Sequence, residues 1–96
     1  MSFGHMTDAS GTIAVGGTAQ VLLPANSARQ YLFIQNPITA TETLRFCSDV
    51  TATTTNSFEL AAGGSATFSS DNGFMPTGAI SILAATGAHA YIAKWA

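Results

Sequence analysis

The chain has 96 residues, the size of one domain, and 8% of them are charged, against about 25% in an average soluble domain. Its cations are Arg29, Arg45 and Lys94 and its formal charge is −2, so there is no basic stripe for nucleic acid and no Lys/Arg cluster for anionic lipid. Cys47 stands alone, which excludes an intrachain disulfide, and no apolar run reaches the roughly 18 to 20 residues of a membrane-spanning helix.

Met1 to Met6 lacks the basic and apolar regions of a signal peptide, and Gly4-His5-Met6 resembles the remnant of a cloning site. Residues 1–10 are therefore expected to be a flexible N-terminal segment and residues 11–96 a single β domain. Runs of β-branched and aromatic residues bounded by Gly, Pro, Asn, Asp or Ser then recur along the chain. Thr12-Ile13-Ala14-Val15 stops at Gly16-Gly17, and Thr18 to Leu23 stops at Pro24, which predicts either a first hairpin or a corner between sheets. Gln30 to Gln35 is almost continuously apolar and ends at Asn36-Pro37, the pattern of a central strand. Glu42 to Cys47 alternates, with Leu44 and Phe46 on one face and Thr43, Arg45 and Cys47 on the other.

A Thr-rich loop over Thr51 to Asn56 leads to a short strand at Ser57 to Leu60, with Phe58 and Leu60 facing inward. An Ala-Gly turn follows, and Ala66 and Phe68 share the inward face of Ser65 to Ser69. Ser70-Asp71-Asn72-Gly73 and Met75-Pro76-Thr77-Gly78 are turn signals. Ala79 to Ala84 and Ala88 to Trp95, separated by Thr86-Gly87, read as a closing hairpin. About eight short strands at spacings of roughly 8 to 12 residues predict a small all-β, antiparallel β-sandwich or barrel. The expected core is Ile13, Val21, Leu32, Ile34, Leu44, Phe46, Phe68, Ile80, Ile82 and Ile92. Ala, Thr, Gly and Ser supply half of the residues, so the exterior must be finished largely with small neutral side chains.

The segment Asn26-Ser27-Ala28-Arg29-Gln30-Tyr31-Leu32-Phe33-Ile34-Gln35-Asn36 resembles small β-sandwich structural proteins of tailed bacteriophages and prophages. Gly11 to Gln20 and Gly73 to Ile82 resemble members of the same group. The resemblance implies a virion component assembled in the host bacterial cytoplasm: a capsid decoration or cement protein, a head-fibre base or a tail-associated sandwich. It carries no catalytic residues to transfer.

The residues themselves point the same way on chemistry. The two histidines, His5 and His89, have no nucleophile at catalytic spacing, and no Gly-x-Ser-x-Gly or Walker-type motif occurs. Asp8, Glu42, Asp49, Glu59 and Asp71 are scattered, and Asp71-Asn72 is too short a cluster for calcium. No enzyme activity, cofactor or metal is expected. Arg29 precedes the most apolar strand, where its rigid fork can bond several carbonyls or a carboxylate. With Tyr91 and Trp95 it is a candidate interface residue. The expected partners are a capsid or other virion protein and further copies of the chain, a trimer by analogy with proteins seated at three-fold positions. The alternative is a small carbohydrate- or ligand-binding sandwich, which needs three or more of Tyr31, Phe74, Tyr91 and Trp95 exposed on one face.

Overall fold

The computed structural model describes residues 6–72 and 74–96. Nine strands occur there: β1 (Thr7–Asp8), β2 (Gly11–Thr12), β3 (Gln20–Leu23), β4 (Tyr31–Gln35), β5 (Leu44–Ser48), β6 (Phe58–Leu60), β7 (Ser65–Ser69), β8 (Ile80–Leu83) and β9 (Ala90–Trp95). They form two antiparallel sheets, consistent with a small β-sandwich. One has the order β1-β9-β4-β7, with β2 also on β9, and the other β3-β8-β5-β6. A 3₁₀ turn over Ser70–Asn72 follows β7.

The period-2 pattern explains how the sheets close on each other. Leu32 and Ile34 of β4 are fully buried while Tyr31, Phe33 and Gln35 are half-buried. Leu44 and Phe46 of β5 and Ile80 and Ile82 of β8 meet them in one core with Ile13, Leu23, Leu60, Tyr91 and Ala93. Each large side chain so buried contributes about 1.5–3 kcal/mol.

Two expected core residues lie elsewhere. Val21 is 69% exposed, because the pairing of β3 with β8 shifts register between Val21 and Leu23, and Leu23 takes the buried place. Ile92 is half-buried because β9 turns Tyr91 and Ala93 inward; both phases of this strand are apolar, so alternation alone did not choose between them. The N-terminal segment expected to be flexible divides as well. Residues 1–5 lie outside the described residues, whereas Thr7 and Asp8 pair with Trp95 and Lys94.

The expected closing hairpin is replaced by a corner. β8 pairs with β3 and β5, whereas β9 pairs with β1, β2 and β4, so residues 84–89 carry the chain from one sheet to the other. The segment after β2 makes a matching passage into β3, and the two corners bond to each other. Gly17 N–H donates to Ala84 O at 2.8 Å, Ala88 N–H to Ile13 O at 2.7 Å, and Ile13 N–H to His89 O at 2.9 Å. Backbone groups that a hairpin would pair within one sheet are thus satisfied by the neighbouring corner. Gly16 permits the approach: a Cβ there would lie 2.5 Å from Ala85 O and 2.7 Å from Gly87 N.

Gly16→Ala therefore forces the two corners apart and is expected to cost about 2–4 kcal/mol, read as a lowered urea midpoint. Val21→Thr, on the exposed side of β3, should stay within about 0.5 kcal/mol of wild type in the same measurement.

Candidate interaction surface

Two buried polar residues flank β4, and each ties one sheet to the other. Arg29, 3% exposed, precedes the strand. Its Nη1 donates to Pro76 O at 2.8 Å and Gly78 O at 3.3 Å, and its Nη2 to Pro24 O at 2.7 Å. Those carbonyls lie just after β3 and just before β8, both in the opposite sheet. The fork bonds carbonyls, as its chemistry allowed, and burial pulls the guanidinium below its ordinary pKa. Its Nε is buried without a partner. Arg29 is thus an internal tie and not an exposed interface residue.

Asn36, fully buried, follows the strand. Its Nδ2 donates at 2.9 Å to both Glu42 O and Leu60 O, which orients the amide and leaves Oδ1 facing His89 Nε2 at 2.8 Å. His89 Nδ1 lies 3.1 Å from Glu42 Oε1. Thr86 adds its N–H to Oε1 at 3.1 Å and its hydroxyl to Oε2 at 3.3 Å. The two ring nitrogens thus face one oxygen each, Nδ1 the Glu42 carboxylate and Nε2 the Asn36 amide. The His89 bond is the largest cause holding the Glu42 carboxyl below its ordinary value. A cleft of about 280 Å³ lies alongside, between residues 37–42 and 86–90. Asn36 had read only as a strand stop and Glu42 as one scattered acid. Nothing local in the sequence joins positions 36, 42 and 89.

The remaining cations pair with carboxylates on neighbouring strands, at the surface. Arg45 Nε donates to Glu59 Oε2 at 3.0 Å across β5 and β6, and Lys94 Nζ lies 3.0 Å from Asp8 Oδ1 across β9 and β1. Hydrogen bonds from Ser10, then Lys94, hold the Asp8 carboxyl down at about 2. Among the described residues every Lys and Arg is therefore buried or paired, and Asp49 and Asp71 are the acids without an ion pair. No three His, Cys, Asp or Glu side chains gather there into a metal-sized group. Cys47 is buried, its Sγ 3.7 Å from Asn56 O.

The exposed surface is correspondingly apolar on one side. Phe46 stacks on Phe58 with centroids 5.2 Å apart, and Phe68 meets Phe46 and Phe58 edge-on at 6.2 Å and Phe74 at 6.1 Å. Phe58 and Phe74, at 55% and 60% exposure, form the open end of this cluster, beside the outer strands β6 and β7. Phe58 has the inward phase expected of it, but β6 is an edge and leaves the ring half uncovered. Of the other proposed interface residues, Tyr91 is buried and Trp95 is half-buried against the core. Of the four aromatics that a sugar-stacking face would use, Phe74 alone is exposed. Comparison with protein-family models, with curated proteins and with solved structures finds no match.

Replacing Arg29 by Ala leaves Pro24, Pro76 and Gly78 carbonyls without their donor, and should lower stability by about 2–4 kcal/mol in urea unfolding. Glu42 gives a pH signature. Its folded-state pKa is depressed below 4.5, so its contribution is complete above that value and is lost as pH falls through the lowered one. The gap in melting temperature between wild type and Glu42→Gln should therefore narrow progressively as pH drops below 4.5; a gap constant with pH contradicts the assignment.

Proposed function

We propose that this chain is a non-enzymatic structural protein of a bacteriophage virion, a capsid decoration or cement protein that binds the shell and its own copies. One observation carries the reading: among the described residues each cation is either buried or paired with a carboxylate, so the surface offers a partner aromatic rings and small neutral side chains in place of free positive charge. Such a surface is poorly hydrated and weakly self-repelling, which suits burial against protein and suits neither a phosphate backbone nor an anionic membrane. The resemblance over residues 11–20, 26–36 and 73–82 supports the virion context. The three-fold arrangement rests on analogy alone.

The test is to purify the parent particle through a density gradient and quantify this chain by mass spectrometry. It should co-purify in many copies per particle, and the recombinant chain should re-attach to particles stripped of it. Particles that carry none of it, or that fail to bind it, overturn the reading.

A further inference from the structure

We infer that the free edge of β7 is the contact through which two copies of this chain join, in a two-fold, antiparallel β7-to-β7 pairing that continues one sheet across both. The inference deepens the proposed self-association and rests on it for its biological setting. It starts from where the backbone groups point. Tyr31 and Ala96 exchange both of their backbone hydrogen bonds, each at 3.1 Å, so in the alternation of an antiparallel ladder the odd residues of β4 face β9. The even residues then face β7. The flanking bonds agree: Ser70 N–H donates to Gln30 O at 3.0 Å and Asn36 N–H to Gly64 O at 2.9 Å. With Leu32 opposite Phe68 and Ile34 opposite Ala66, it is Phe68 and Ala66 that bond to β4. Ser65, Thr67 and Ser69 therefore turn their N–H and C=O groups outward, where β7 has no neighbouring strand among the described residues.

The other edges are blunted. β3 breaks register at Val21/Leu23, β6 has three residues and carries Glu59, and β1 and β2 have two residues each. β7 is five residues long, pairs with β4 in unbroken register, and contains no charge and no proline. It has none of the devices that keep an edge single. The edge is also complementary to itself. A two-fold axis through Thr67 sets that residue opposite its own copy and Ser65 opposite Ser69, so outward-facing residues meet only outward-facing ones and their hydrogen bonds can close in pairs. Such a pairing brings Phe58 and Phe74, which surround Phe68 of β7, toward the second copy. A second copy supplies strand groups in phase, further aromatic surface and no charge within the paired strand itself. An isologous contact of this kind joins two chains, not three.

Light scattering on the full chain at micromolar concentration should give twice its mass of 9.8 kDa. Thr67→Pro removes an outward N–H that makes no bond to β4 and should give the single-chain mass with an unchanged far-ultraviolet spectrum. Thr67→Lys sets two ammonium groups against each other across the axis and should do the same. Val21→Lys, on the β3 edge, should leave the pair intact. Independently of any variant, the Ser65, Thr67 and Ser69 amides should exchange at least about tenfold more slowly in concentrated than in dilute wild-type protein. A wild-type single-chain or three-chain mass, a pair that survives both Thr67 substitutions, or exchange at these amides that ignores concentration overturns the inference. The proposed function fails separately: a β7-linked pair that does not attach to particles defeats that reading and leaves the contact standing. A single chain that attaches to them does the reverse.

Discussion

The central strand of this sandwich is held at both ends by a buried polar side chain that reaches across to the other sheet. Arg29 before β4 bonds the carbonyls of Pro24, Pro76 and Gly78, and Asn36 after it bonds those of Glu42 and Leu60. Apolar contact between two sheets is largely indifferent to sliding, because one aliphatic face packs on another in many positions. Hydrogen bonds to five particular carbonyls are not indifferent, since a displaced donor leaves a buried acceptor unsatisfied at about 1–3 kcal/mol each. The two ends of β4 therefore fix the position of one sheet on the other, and the leucines and isoleucines between them supply most of the burial.

What the sequence made legible follows from the range of each signal. Alternation in Leu44-Arg45-Phe46 and the apolar run through Leu32 and Ile34 report local exposure, and both were correctly placed in the core. The same signal was silent in β9, where Tyr91 and Ile92 are apolar neighbours and parity is set by pairing with β4. Thr86-Gly87 correctly marked a reversal, yet turn chemistry does not say whether the chain returns in its own sheet or crosses to the facing one. That is decided by residues 13–17, some 70 positions earlier. The candidate surface was less legible still. Low charge implied that something should cover it, but the residues chosen from the sequence, Arg29 and Tyr91, are buried, and the rings left open are Phe58 and Phe74. Which aromatic remains uncovered depends on which strand becomes the edge, and edge position is a property of topology that no local pattern encodes.

Scarcity of charge also changes what each ion pair does. Arg45–Glu59 and Lys94–Asp8 are cross-strand pairs at least partly open to solvent, and pairs of that kind typically contribute about 0–1 kcal/mol. Their larger consequence is outside the chain: they leave the exterior close to neutral, with Asp49 and Asp71 as the acids lacking an ion pair among the described residues. Long-range steering by such an exterior is correspondingly weak, so the association proposed above would rely on short-range fit, that is, on backbone hydrogen bonds at an edge and on aromatic area beside it.

The ties at the ends of β4 and the outer edge of the sheet are mechanically connected. Asn36 is engaged through its backbone as well as its side chain: its N–H donates to Gly64 O, and its C=O accepts from the N–H of Gly63, which sits at φ +80° where a residue with a Cβ would be strained. This fixes where β7 begins against β4, and the bond from Ser70 N–H to Gln30 O fixes where it ends, one residue from Arg29. A slip of one residue between the two strands would turn the backbone groups of Ala66 and Phe68 outward and bring the small polar Ser65 and Thr67 to the core face. The same slip would break the backbone bonds of Asn36 to Gly63 and Gly64, and if β4 were the strand to move it would also draw Asn36 from the carbonyls of Glu42 and Leu60. Register at the outermost strand is thus inherited from buried hydrogen bonds at the centre, and the uncharged edge is displayed in one phase because the strand behind it is held at both ends.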